Sequence, residues 1–257
     1  MIQVVLHHGL CGGGLHIGKV RWPPFRGIDR AIAAAGYSVM TTTVHPTAGI
    51  QRRASQLKQW MLDNRKSWDG QRVVLVAHSM GGLDARYMLA RLDMARHVRA
   101  LVTVCTPHHG SPWADWCVEN VGRKLRAIEL IRHLGLDIEG VLDVTTERCR
   151  RFNFEIHDVP GVPYFSISAS QPWRKMPAFA LPSWRIISKL DGPNDGLVSV
   201  KSARWGRHLA TWQADHWHTV NRRLSRAAIK IGDISPNYLA VLSAVAPLPA
   251  AKGSSRV

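Results

Sequence analysis

Short runs of aliphatic and β-branched residues alternate along the chain with stretches whose apolar positions recur every three or four residues. That alternation predicts a parallel sheet covered by helices. Ile2–Leu6 reads as the first strand, Phe25 to Ala35 as a helix stopped by Gly36, and Tyr37–Thr43 as the second strand. Ile50, Ala54, Leu57 and Met61 lay one apolar stripe along a helix over Gln51 to Arg65. Arg72–Ala77, apolar from Val73 onward, suits the centre of a sheet; Gly82 to Leu92 follows as a helix and Val98–Cys105 as a strand. Regularity breaks from Ser111 to Arg174, where tryptophans and basic residues surround a helix with Val121, Leu125, Ile128 and Ile131 on one face. Strands are expected again at Tyr164–Ala169, Trp184–Ser188 and His208–Trp212, and a last helix over Pro236 to Val245. The expectation is an α/β core from residues 1–110 and 175–257, with 111–174 as an inserted helical lid that leads back through the strand near 164–169.

At 257 residues the chain has room for one sizeable α/β domain with a cap. Charge changes the picture more than length does. Lys and Arg number 34 against 18 Asp and Glu, a formal net charge of +16. Such a field favours anionic partners. No nucleic-acid-binding motif accompanies it, so nucleic acid is not expected; a highly cationic surface with no special partner is the plainer reading, and association with anionic lipid surfaces the alternative. The cysteines Cys11, Cys105, Cys117 and Cys149 match no zinc spacing, although a Cys117–Cys149 bridge within the insertion is conceivable. No apolar run is long enough to span a bilayer. A start directly on an apolar strand implies a cytoplasmic chain, or a secreted one whose leader has been removed.

Candidate chemistry centres on Val73-Val74-Leu75-Val76-Ala77-His78-Ser79-Met80-Gly81-Gly82. A buried strand runs into a small-x-Ser-x-Gly turn and a helix leaves it. Small residues on both sides let the turn tighten until the serine hydroxyl stands above the sheet edge, as a nucleophile elbow requires. Ala77 replaces the usual first glycine and keeps that position small. After the first strand comes His7-His8-Gly9-Leu10-Cys11-Gly12-Gly13-Gly14. A glycine-rich turn can aim backbone N–H groups at a developing alkoxide, and the Leu10 and Met80 amides are the expected donors. A phosphate loop is the competing reading; no Gly-Lys-Ser/Thr follows to support it. A serine nucleophile needs a base and an acid, expected in the order Ser, Asp, His. Asp195 and His216 both follow predicted strands, the positions where ligands approach an open α/β sheet. Spacing alone leaves Asp191 and His218 as rivals, and His45, His108 and His109 read as structural or loop residues.

At these segments the chain resembles the bacterial triacylglycerol lipases of the Pseudomonas and Burkholderia type. The resemblance runs in order through His8-Gly9-Leu10, Ala77 to Gly82, Thr106 to Ser111, Asp143 to Glu147, Phe152-Asn153, Gly161 to Ser166, Asn194 to Ser199 and Asp215 to Asn221. It implies a reduced α/β-hydrolase fold that begins at the oxyanion strand, with Asp195 as acid and His216 as base. The implied activity is carboxylic-ester hydrolysis through an acyl-enzyme on Ser79, with a lipid or small ester as substrate. A short-chain esterase or acyltransferase on the same triad is the alternative, and a non-catalytic binder of anionic membranes a remoter one. Those lipases hold a structural calcium with a carboxylate two residues after the catalytic histidine. Here that position is His218, a poor calcium ligand, and no Asp or Glu lies between Asp158 and Asp191. The calcium site is therefore expected to be absent, with no other cofactor or metal, and a neutral His218 to hold the loop by a local hydrogen bond.

Overall fold

The computed structural model of the chain describes residues 1–12, 16–17, 20–21, 24–122 and 138–249. The strands are β1 (Gln3–His7), β2 (His16–Ile17), β3 (Val20–Arg21), β4 (Ser38–Thr41), β5 (Val73–His78), β6 (Val98–Val104), β7 (Tyr164–Ala169) and β8 (Arg207–Trp212). The helices are α1 (Ile28–Ala34), α2 (Ile50–Asp63), α3 (Gly81–Arg91), α4 (Pro112–Gly122), α5 (Glu139–Asp143), α6 (Thr146–Glu155), α7 (Leu181–Leu190), α8 (Arg226–Ile231) and α9 (Ser235–Val245).

One six-stranded sheet has the order β4-β1-β5-β6-β7-β8 with every pairing parallel, while β2 and β3 form a separate antiparallel hairpin. Both faces of the sheet are covered, which explains why the central strands are apolar throughout. Alternate residues serve opposite faces. Val4, Leu6, Val74 and Val76 pack with Ile28 and Ile32 of α1 and Tyr238, Val241 and Leu242 of α9. Val5, Val73, Leu75 and Ala77 pack with Leu57 and Met61 of α2 and Ala85, Met88 and Leu89 of α3. The chain moves from β1 outward to β4, then returns past β1 to β5 and continues the other way. The loops leaving β1 and β5 therefore diverge, and an open α/β sheet binds its ligands at such a point.

Between β6 and β7 lie α4, α5 and α6. This segment is fastened to the core by Asp143, whose carboxylate accepts from the Ile50 amide at the start of α2 (2.8 Å), and by a cluster joining Ala114, Val144 and Cys149 to Met80 and Leu83. The stripe expected at Leu125, Ile128 and Ile131 lies outside the described residues. Cys117 and Cys149 are both free thiols, so the conceivable bridge is not formed; the Cys149 thiol donates instead to the carbonyls of Pro107 and Asp143. No helix among the described residues is long and apolar enough to cross a membrane.

One expected element has the wrong type. Trp184–Ser188 is not a strand but the middle of α7. The short run Trp-Arg-Ile-Ile looks like a strand because two β-branched residues adjoin. Pro182 in the first turn and burial of Ser183 and Ile187, one helical turn apart, belong instead to a helix laid on the surface.

Candidate active site

Strand β5 ends at His78, and Ser79 takes up a left-handed backbone conformation with φ 55° before α3 begins. This conformation is costly for a residue with a Cβ and persists only where its surroundings enforce it. Here the Ser79 amide donates to the Val104 carbonyl of the neighbouring strand (2.8 Å), and the Ser79 carbonyl accepts from Thr106 Oγ1 (2.7 Å) and the Gly82 amide (3.0 Å). The elbow is thereby bolted to the end of β6, and the hydroxyl points away from the sheet.

His216 meets that hydroxyl: its Nε2 lies 3.0 Å from Ser79 Oγ, and its Nδ1 lies 2.7 Å from Asp195 Oδ2. Asp195 is fully buried, and its other oxygen accepts from the amides of Leu197 (2.9 Å) and Val198 (2.7 Å). Because the ionised carboxylate only accepts, the His216 proton sits on Nδ1 and the Nε2 lone pair faces the serine. In this arrangement the imidazole can take the serine proton, and the carboxylate fixes the tautomer and offsets the positive charge that follows. The rivals stand elsewhere. Asp191 accepts from Ser199 Oγ (3.0 Å), and the buried His218 donates from Nε2 to the Gly232 carbonyl (2.9 Å). Asp215, just before His216, accepts from the amides of Trp217 and His218 and from Ser225 Oγ. His45 and His108 are structural, as expected: His45 Nδ1 accepts amides of Thr47 and Ala48, and the buried His108 bridges Thr103 and Arg86.

The turn after β1 is pressed against the elbow. A Cβ on Gly9 would fall 2.5 Å from Ser79 Cβ and 2.8 Å from the His78 carbonyl oxygen, so only glycine fits. The turn is held by Cys11 N–H donating to the Pro46 carbonyl (2.9 Å). Among the described residues no backbone carbonyl accepts from the Leu10 or Met80 amide, leaving both available to an oxyanion. Behind the turn lies a network that sequence reasoning missed. Fully buried Arg53 donates to Asp84 Oδ2 (2.8 Å) and to the carbonyls of His8 and His45 (2.6 Å each). His7 joins Asp84 (3.0 Å) to Thr42 Oγ1 (2.7 Å). Arg53 falls three residues after Ile50 and four before Leu57, on the edge of the buried stripe of α2, but nothing nearby in sequence supplies the acceptors that burial of its charge requires; they come from the turn after β1, from α3 and from the loop after β4.

Ser79 and His216 open on a cavity of ≈ 390 Å³ whose walls are largely apolar: Leu10, Trp113, Val141, Val144, Leu197 and Trp217. Trp113 stacks on Trp116 with ring centroids 4.9 Å apart. Burial favours the neutral form of His8 and His78 beside the cavity. His8 is pushed down to about 3, first by desolvation and then by the charges beside it, and His78, whose Nε2 donates to Thr219 Oγ1 (2.9 Å), is lowered well below the ordinary value by the same cause. The buried Cys105 thiol beside Asp195 is pushed well up, by desolvation and then by the neighbouring carboxylate, and stays protonated.

The parallel sheet, the left-handed serine after its central strand and the cleft at the divergence of β1 and β5 define an α/β-hydrolase, and the chain has that fold. Within that class it is similar to triacylglycerol lipases. The pattern of a PGAP1-like alpha/beta domain matches residues 29–133. Triacylglycerol lipase 2 of Saccharomyces cerevisiae is 31% identical over 203 residues, covering 76% of this chain and 61% of that protein. A triacylglycerol lipase of Pseudomonas fragi is 36% identical over 113 residues, 44% of this chain and 36% of the relative. The chain thus spans less than two thirds of either relative's length. Among solved structures, a Bacillus licheniformis lipase in its mature form superposes with a TM-score of 0.70 at 22% identity, covering 94% of this chain and 91% of that one.

Proposed function

We propose that this chain is a carboxylic-ester hydrolase, a lipase that cleaves acylglycerols through an acyl-enzyme on Ser79. The observation that carries the reading is the line from Asp195 through His216 to Ser79 Oγ, opening on an apolar cleft. Ser79 attacks the ester carbonyl as His216 Nε2 takes its proton. The tetrahedral oxyanion sits between the Leu10 and Met80 amides, and His216 returns the proton to the leaving alcohol. Water, activated by the same imidazole, then releases the acid. The segment 111–174 acts as a lid, its Trp113 and Val144 offering the acyl chain an apolar wall.

The test is an acyl-length profile with p-nitrophenyl esters on wild type and Ser79→Ala, beside labelling by a fluorophosphonate. Activity and labelling that both vanish in Ser79→Ala support the assignment; a wild type that neither turns over nor labels points to a binder instead. A maximum confined to the shortest acyl chains replaces the lipase with a short-chain esterase.

Two subsidiary proposals concern what the cleft's surroundings bind. The histidine loop holds itself without calcium: His218 spends its ring N–H on Gly232, and the Asp215 carboxylate is engaged by two amides and Ser225. Calcium and chelator are expected to leave Tm unchanged, and a rise of several degrees with calcium would overturn this. The +16 net charge draws the protein to anionic lipid surfaces. Co-sedimentation with phosphatidylglycerol vesicles that resists high salt, or equals that with phosphatidylcholine, counts against it.

A further inference from the structure

The cleft contains one side chain that the ester chemistry leaves unused. Arg222 lines the same cavity as Ser79 and His216, and its Nε and Nη2 are shielded from solvent with no hydrogen-bond partner among the described residues. No carboxylate is found among the described residues that line the cavity, and the ionisable groups facing Arg222 are Cys11, His8 and His78. Leaving a guanidinium desolvated and unpaired is unfavourable, so buried arginines ordinarily find acceptors. Arg53 does so in this protein, with Nε, Nη1 and Nη2 all engaged.

The two free nitrogens also have a direction. Nε and Nη2 share one edge of the guanidinium, the edge that grips two oxygens of a carboxylate or phosphate at once. The backbone that carries Arg222 is itself firmly held. Asn221 is buried with φ 61°, its Nδ2 donating to the Arg26 carbonyl (2.9 Å) and Asp233 Oδ1 (2.6 Å), its Oδ1 accepting from the Ile234 amide (2.9 Å). The Arg222 amide donates to the Trp217 carbonyl (2.9 Å), and Arg223, the next residue, is exposed. The turn therefore sends Arg222 into the cleft and Arg223 to solvent.

We propose that Arg222 seats an anionic group of the substrate, so that the ester taken by this cleft carries a phosphate or a carboxylate besides its acyl chain. This deepens the ester-hydrolase reading and rests on it. A neutral acylglycerol leaves the cation uncompensated; an anionic ester completes it and is held with its carbonyl near Ser79.

Matched pairs of esters test this on wild type, Arg222→Met and Arg222→Lys: monooleoylglycerol against its phosphate monoester, and p-nitrophenyl hexanoate against p-nitrophenyl hydrogen adipate. Wild type is expected to show a KM roughly tenfold lower for one anionic member than for its neutral partner, a ratio lost in Arg222→Met and partly kept in Arg222→Lys. The pair that shows the ratio identifies the anion as phosphate or carboxylate. Equal KM values within both pairs, or a ratio that survives in Arg222→Met, overturn the assignment. If wild type turns over none of the esters, it is the hydrolase reading that fails. Binding of decyl phosphate and decanoate then decides on Arg222: weakening of both or either by about tenfold in Arg222→Met supports it, and unchanged binding of both overturns it. Arg222→Met is further expected to raise the Tm of the ligand-free protein, because it removes an unpaired, partly buried charge. A lowered Tm marks a structural arginine and overturns the proposal.

Discussion

Asp195 illustrates how much the position of a single proton decides. Its Oδ1 accepts two amides, so in Asp195→Asn the side-chain oxygen keeps those bonds and the NH₂ turns toward His216. The imidazole then presents its lone pair to the amide and an N–H to Ser79, the wrong way round for a base. With the fold intact, kcat is expected to fall about ten-thousandfold, checked on a p-nitrophenyl ester with circular dichroism alongside. Gly9→Ala probes the other side of the serine. Its Cβ collides with Ser79 Cβ and the His78 carbonyl, so the turn must retreat and carry the Leu10 amide with it. A loss of roughly a hundredfold in kcat, with KM nearly kept, is the expected result. At this scale the serine was legible because its signal is local: an apolar strand, small flanking residues and a Gly-Gly helix start. The choice between Asp195 and Asp191, or His216 and His218, was not in the spacing; resemblance chose the pair that the structure brings together. The roles of Arg53 and Arg222 were illegible, since the partners that a shielded charge finds, or lacks, are distant in sequence.

Helices and strands were legible where they are long and periodic. β1, β5 and β6, α2 and α3 lie within a residue or two of expectation, whereas α7 was read as a strand and the short α8 was not anticipated. Both lie outside the sheet, where a short apolar run has no second period to distinguish helix from strand. Yet α8 matters to the site. Its N-cap Ser225 accepts from the Ala228 amide (3.0 Å) and also donates to Asp215 Oδ2 (3.2 Å), tying the helix start to the loop that carries His216. Ser225→Ala removes both bonds. A cap of this kind contributes about 1 kcal/mol, so Tm is expected to drop by about 2–4 °C in a thermal melt. An unchanged Tm would show that α8 stands apart from the loop.

Over the whole molecule, acid is expected to be the destabilising condition. His8 is held at about 3 and His7, His78 and His108 are also lowered, each chiefly by burial. In the unfolded chain these groups titrate near 6.5. Below that pH the unfolded state binds more protons than the folded one, so stability falls as pH drops, for His8 from about 6.5 toward about 3, at up to roughly 1.4 kcal/mol per pH unit. Above about 6.5 these groups impose no slope. Tm is expected to decline steeply from neutral pH to about pH 4.5, and a flat profile would contradict the buried neutral histidines. The register of β1 with β5 has a consequence of another kind. His7 pairs with Ala77, and the Leu10 and Met80 amides each lie three residues beyond that pair. The gap between the two proposed donors is thus calibrated by the spacing of neighbouring strands, which no surface loop can stretch. The sheet acts as a ruler for the oxyanion. Segments covering the cleft can be exchanged or circularly permuted around it, altering which molecules enter without recalibrating the distance at which a carbonyl is gripped.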